Sequence, residues 1–370
     1  MRDVEDLPPR TKAKRARYLA RDAGTPRLVF RTRAGRAYHS TLKSFLASKE
    51  AARLKGKVDL ILTSPPFPLN RKKRYGNLRG EQYLDWLREL APSLVGLLKP
   101  KGSVVIELGN AWEPGSPVMS TLPTRALLAF LEAGDLKLCE EFIGYNKARL
   151  PSPAQWVNVE RVRVKDAYTH IWWMSPVERP KADNRRVLRP YSPAMRDLIR
   201  TGKYNSGSRP SEYVIGERSF AKDNGGAIPP NVIEFANTAA TDAYLAYCAR
   251  RGVDPHPARM NPEVARFFVN FLTPAGGLVF DPFAGSNTTG ALAESLGRRW
   301  VAVDRDSSYL LGSRGRFLPP GRKGPVAKRR GALRHTRRRK GLRVRPRGSG
   351  SVRGGTRRKN PVGARRRTSE

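Results

Sequence analysis

Two short strings carry the side chains best suited to chemistry. Ser64-Pro65-Pro66-Phe67 follows one apolar run, and Asp281-Pro282-Phe283-Ala284-Gly285-Ser286-Asn287-Thr288-Thr289-Gly290 follows another far downstream. In the first, paired prolines fix φ and remove two N–H groups, so the loop is stiff and its carbonyls remain as acceptors. Ser64 Oγ and the Pro65 carbonyl suit the N–H groups of an exocyclic amine, and Phe67 offers a ring for a base to stack on. In the second, Ala284, Gly285 and Ser286 let the backbone approach a ligand closely. The helix that follows turns N–H groups toward a carboxylate. Asp304 ends the next apolar run about twenty residues on, where an acid suits the hydroxyls of a ribose. No Gly-Lys-Ser/Thr follows, so the string is not a phosphate-binding P-loop.

Each string alone has a plainer reading, as an ordinary loop or an ordinary strand-turn-helix. Their company outweighs it, provided that the fold brings both turns to one edge of a sheet. The elements around them are of the right kind. Val58–Leu62 is a short apolar run ended by a Pro-Pro breaker, hence a buried strand. Tyr83–Leu98 has apolar residues at helical spacing, and Lys99-Pro100-Lys101-Gly102 stops it. Further strands are expected at Ser103–Leu108, Cys139–Tyr145, Tyr168–Met174, Leu278–Asp281 and Trp300–Asp304. Helices are expected at Pro123–Ala133, Pro262–Leu272 and Thr289–Leu296. The alternation predicts an α/β fold, a Rossmann-like, doubly wound, mainly parallel sheet with ligands at the carboxyl ends of its strands.

The rest of the chain breaks this rhythm. Residues 1–24 form a basic arm and 25–175 the first half of the core. Residues 176–255 are irregular, and a loop of that length is usually functional or a small subdomain. Residues 256–318 form the second half, and 319–370 a tail too charged to bury a core, expected to be disordered. From Gly321 to Glu370 there are 20 Lys plus Arg and one acidic residue. The whole chain of 370 residues carries a formal charge of +39. Such an excess calls for a polyanionic partner, nucleic acid or an anionic membrane surface. No apolar run is long enough to span a bilayer. Cys139 and Cys248 lack a C-x-x-C spacing, and the four histidines show no ligand spacing, so neither a metal site nor a disulfide framework is expected.

The pair of strings resembles motifs I and IV of the amino-methylating DNA methyltransferases. The order, IV before I, is that of the β group. Leu150-Pro151-Ser152-Pro153, Trp172-Trp173, Lys222-Asp223-Asn224-Gly225-Gly226 and His256-Pro257-Ala258-Arg259 resemble the PvuII-type cytosine-N4 modification methylases in particular. The resemblance covers roughly residues 36–318. It implies methyl transfer from S-adenosylmethionine to an exocyclic amine in double-stranded DNA, with Ser64, Pro65, Pro66 and Phe67 catalytic. It implies a cofactor pocket of Asp281, Phe283, Gly285, Ser286, Thr288 and Asp304, closed by His256, Pro257 and Arg259. Serine at the head of the Ser-Pro-Pro-Phe string is typical of cytosine-N4 enzymes. The family usually has Gly-Asp near residue 40; here Ala37-Tyr38-His39-Ser40-Thr41 has no acid, leaving Ser40 as a donor.

Alternatives stay open at this point: an adenine-N6 enzyme, an RNA or protein methyltransferase, or a non-catalytic basic DNA-binding protein. A cytosine-C5 enzyme needs a cysteine after proline, whereas Cys139 follows Leu138 and Cys248 follows Tyr247. DNA contacts are expected from Arg71, Lys72 and Lys73, and from Arg185, Arg186, Arg189, Lys203 and Arg209 in a target-recognition region at 176–255. The resemblance further implies a short palindromic target such as CAGCTG. A monomer acting on each strand in turn is the simplest stoichiometry, a restriction endonuclease of the same site is a candidate partner, and two ordinary reduced cysteines fit a cytoplasmic, nucleoid-associated setting.

Overall fold

The computed structural model describes residues 25–67, 78, 80–203, 207–208, 210–216, 222–236 and 242–318. The strands are β1 (Arg27–Arg31), β2 (Gly35–His39), β3 (Val58–Thr63), β4 (Leu98–Gly109), β5 (Lys137–Tyr145), β6 (Tyr168–Ser175), β7 (Gly207–Ser208), β8 (Val214–Ile215), β9 (Val232–Glu234), β10 (Leu278–Asp281) and β11 (Arg299–Asp304). β7 and β8 pair with each other; the other nine form one sheet in the order β1-β2-β11-β10-β3-β4-β6-β5-β9.

β3 is buried at all six positions. It lies between β10 and β4, parallel to both, and the sheet is covered on both faces, so an uninterrupted apolar strand is what this place requires. One exception, Asp59, is buried but satisfied: it accepts from Lys99 Nζ at 2.8 Å and from the Leu278 amide at 2.9 Å. One face is covered by the helices Gly80–Val95 and Leu122–Ala133 and the other by Pro262–Leu272, whose Val264, Phe268 and Val269 reach the sheet.

The sheet is doubly wound. From β3 the chain crosses to β4 on one side; from β10 it crosses to β11 on the other. The winding therefore reverses between β10 and β3, and a crevice opens there at the carboxyl ends.

The sheet is mainly parallel, as expected, with β6 antiparallel to both β4 and β5 and β1 antiparallel to β2. The connection 146–167 holds no crossover helix, so β5 and β6 close as a hairpin. Trp172 and Trp173 both enter the core, one on each face, at 3% and 8% exposure. Their indole N–H groups donate to Glu141 and Ser103. β4 also begins at Leu98, five residues before the expected Ser103, so Lys99–Gly102 belongs to the strand.

The irregular region is tied to the core along its C-terminal part. β9 extends the sheet beside β5, and the helix Ala243–Arg251 packs Tyr244 and Cys248 inward against the segment around Gly312. Residues 1–24, 68–77, 79, 204–206, 209, 217–221, 237–241 and 319–370 lie outside the described residues, and with them the basic arm and tail.

Candidate functional site

The two strings meet. β3 and β10 are parallel neighbours in register Val279↔Leu60 and Phe280↔Ile61, so both turns leave the same rim. Thr63 Oγ1 donates to Asp281 Oδ1 at 2.7 Å, both residues being buried. The Phe283 amide donates to the same oxygen at 3.2 Å. A cleft of about 1230 Å³ opens over them. Ser64, Pro65, Pro66 and Phe67 line it, with Asp281, Phe283, Gly285, Ser286, Thr288, Asp304, His256, Pro257 and Arg259.

The turn after β10 is shaped by its own residues. Gly285 has φ +48, and a Cβ there would come within 3.1 Å of the His256 ring. Both the left-handed backbone and the close ring require glycine. Asp304 reaches across from β11: its Oδ2 accepts from the Gly285 amide and its Oδ1 from the Asp306 amide, each at 2.7 Å. Asn287, itself at φ 49, caps the helix Thr288–Ser295 by accepting from the Gly290 amide at 3.2 Å. One of the N–H groups expected to face a ligand is thereby taken internally.

Burial sets the electrostatics. It pushes the Asp281 carboxyl up to about 6 and that of Asp304 up to about 7, in spite of the hydrogen bonds that favour their charged forms. Burial also lowers the His256 imidazole, although its Nδ1 faces the Ala258 carbonyl. The floor of the cleft thus places two buried carboxyl groups in a strongly basic chain.

The Ser64 loop is held as firmly. Pro65 is buried, and the Phe67 ring lies on Gly109 at the end of β4, where a Cβ would approach it to 2.6 Å. β4 runs beside β3 in register Thr63↔Ile106, which brings Glu107 next to Ser64 along the rim.

These observations agree with what the chain is similar to. A family model described as DNA methylase, of the N6/N4 methyltransferase type, matches residues 58–313. The chain belongs to that family. The type II methyltransferase M.PvuII of Proteus hauseri is 43% identical over 263 residues, 70% of this chain and 78% of that one. The type II methyltransferase M.HpaI of Haemophilus parainfluenzae is 22% identical over 68% of this chain and 66% of its own. The solved structure of the PvuII DNA methyltransferase (cytosine-N4-specific) matches with a TM-score of 0.63 and 34% identity, covering 80% of this chain and 90% of that one.

Within this DNA methylase, several cleft residues were not singled out by sequence. Glu107 is buried and lines the cleft; burial pushes its carboxyl up to about 7, while Thr169 Oγ1 donates to it at 3.2 Å. Trp86 packs on Phe283 with ring centroids 5.5 Å apart. Arg316 lies behind the glycine turn, donating from Nε to the Ser286 carbonyl at 2.9 Å. It also pairs with Asp242 at 3.0 Å, and Asp242 in turn holds Arg259 at 3.3 Å. Arg259 is therefore anchored by a carboxylate as well as lining the cleft. Ser40, which the sequence already left as a donor, is buried at 1% exposure and lines the cleft, its Oγ without a partner among the described residues.

Of the expected DNA contacts, Arg185, Arg186, Arg189 and Lys203 are among the described residues. Arg185 and Arg186 both bind Asp183, at 2.8 and 3.2 Å. Arg186 also donates to the Thr273 carbonyl at 2.5 Å, closing the end of the helix Pro262–Leu272. Its guanidinium is thus engaged in the fold. Arg189 pairs through its backbone with Ala227, and Lys203 is exposed. Arg71, Lys72, Lys73 and Arg209 lie outside the described residues.

Proposed function

We propose that the chain is a site-specific DNA methyltransferase acting on the exocyclic N4 of cytosine in duplex DNA. The observation that carries this reading is the joining of β3 and β10 through Thr63 and Asp281, which sets the Ser64 loop and the glycine turn on one cleft. Serine at position 64, and the likeness to the cytosine-N4-specific PvuII DNA methyltransferase, favour cytosine over adenine.

The cleft fits S-adenosylmethionine. Ser40 offers an orphaned hydroxyl, Gly285 leaves room that any side chain would fill, and the acids below suit a cation and ribose hydroxyls. When bound, S-adenosylmethionine supplies an electrophilic methyl group on a sulfonium. Asp304 would hold the ribose, and His256, Pro257 and Arg259 the methionine side.

The chain's own residues then handle the base. An everted cytosine stacks on Phe67, and its amine donates to Ser64 Oγ and the Pro65 carbonyl. The amine lone pair is delocalised into the ring, so it is a poor nucleophile. Two acceptors on one side favour a pyramidal nitrogen with its lone pair turned toward the cofactor side of the cleft. Positioning and oriented dipoles supply the rate, and no covalent enzyme intermediate is required. Glu107, beside Ser64, offers a carboxyl that holds a proton near neutrality, suited to the ring edge of the base. The enzyme works as a monomer on each strand in turn, in the cytoplasm on the nucleoid, beside an endonuclease of the same specificity.

Incubation with radiolabelled S-adenosylmethionine and duplexes carrying CAGCTG or a scrambled site tests this reading. Digestion to nucleosides and mass spectrometry should give N4-methylcytosine. N6-methyladenine would reassign the base, and no transfer to any duplex would refute the assignment.

A further inference from the structure

The segment 146–167, between β5 and β6, has no part in the reaction described above, yet it springs from the rim of the cleft. Asn110, just past β4, donates to Asp166 at 2.7 Å, and Arg149 donates to the Tyr168 carbonyl at 2.9 Å. Thr169, two residues past the segment, lines the cleft itself. The segment is braced along its length. The Asp166 amide donates to the Ser152 carbonyl at 3.1 Å and the Val162 amide to the Trp156 carbonyl at 3.0 Å. Arg163 lies 3.4 Å over the Trp112 ring. Lys165 reaches the Lys147 carbonyl at 2.7 Å, so the chain near residue 164 runs beside that near 150.

This braced segment keeps large aliphatic side chains in water. Leu150 is 79% exposed and Val164 85%, with Val159 and Val162 at 68% and 61%. Single exposed aliphatic residues are ordinary, but several on one ordered segment at the mouth of a site mark an interaction surface. Its cations outnumber its acids, which favours a polyanion as partner. Removing a base from a duplex leaves a gap, and proteins that unstack DNA insert apolar side chains between base steps.

We propose that segment 146–167 enters the duplex beside the everted base, with Leu150 and Val164 as the wedge and the exposed Arg161 on the phosphate backbone. This rests on the methyltransferase reading above. The wedge would stabilise the duplex in the form that delivers the base to Ser64.

The test uses the double variant Leu150→Ser/Val164→Ser and duplexes with 2-aminopurine at the position of the target base. Both side chains are exposed, so the melting temperature should match wild type. The rise in 2-aminopurine fluorescence on binding should fall about tenfold, and the KM for DNA should rise, since the cost of unstacking loses its compensation. S-adenosylmethionine affinity should not change. A duplex whose target cytosine is mispaired, and so already loosened, should restore the variant to near wild-type rate. A variant that brightens the probe and methylates matched duplex as wild type does would overturn the wedge. So would a change confined to the oligomeric state in sedimentation, which would assign the surface to a second copy. Wild-type protein that methylates no duplex would fail the underlying reading and the wedge together.

Discussion

Thr63 Oγ1 donates to Asp281 Oδ1 at 2.7 Å across two neighbouring parallel strands. This bond ties the base of the Ser64 loop to the base of the glycine turn. It also offsets part of the burial that pushes the Asp281 carboxyl up to about 6. Thr63→Val keeps the shape and deletes the donor, leaving a buried carboxylate with one partner fewer. A loss of about 1–3 kcal/mol in urea unfolding at pH 8 is expected, together with weaker S-adenosylmethionine binding by calorimetry. Unchanged stability would show that Asp281 is satisfied without Thr63.

The Ser64 loop should separate chemistry from cofactor binding. Ser64→Ala removes one acceptor, and a fall of about 10²–10³ in kcat is expected by analogy with the loss of one oriented polar group. Phe67→Ala should raise the KM for DNA as well. Gly109→Ala should resemble it, because the new methyl group would stand 2.6 Å from the Phe67 ring. All three should bind S-adenosylmethionine as wild type does in equilibrium dialysis. A joint loss of cofactor binding would place the loop in the cofactor pocket instead.

Glu107 makes stability depend on pH in a defined direction. Its carboxyl is raised from 4.5 to about 7, chiefly by burial, with Thr169 and Arg149 acting against the rise. The folded state therefore holds this proton more tightly than the unfolded chain does. The stabilisation is complete below about pH 4.5 and is lost as pH rises through about 7. Glu107→Gln has no such loss, so the variant should gain on wild type across that window by about 3 kcal/mol. Paired urea titrations from pH 5 to pH 8 measure it; a constant difference would mean that Glu107 titrates as a free carboxyl.

Arg316 should act through the cofactor. It is 10% exposed at its side chain and spans the Ser286 carbonyl and Asp242. Arg316→Lys keeps the charge but not the fork that reaches both. An increase of about tenfold in the KM for S-adenosylmethionine is expected with little change in kcat, since a loss of about 1.4 kcal/mol in binding is tenfold. A fall in kcat at saturating cofactor would refute this positioning role.

Much of the fold follows from local rules. β3 and β10 are short apolar runs with breakers after them, and the Pro262–Leu272 helix starts with proline behind an Asn cap, so their ends are set within a few residues. The reversed direction of β6 does not follow in that way. Strand direction depends on what connects the strands, and the 22 residues between Tyr145 and Tyr168 show no helical period to announce either outcome. Glu107 and Thr169 sit in strands as ordinary polar residues; only the antiparallel register of β4 and β6 sets them together. Arg186 reads as a free cation in the sequence because Asp183 and the Thr273 carbonyl are its partners only after folding.

The sequence by itself determined the two turns, the strands before them and the kind of chemistry their side chains allow, because proline, glycine and a terminal acid act through covalent geometry and local backbone freedom. The tertiary structure alone decided that both turns share one cleft, that burial raises three carboxyl groups of that cleft, and which arginines are engaged in the fold. Those properties depend on desolvation and on contacts between residues far apart in the chain, and neither is encoded in spacing.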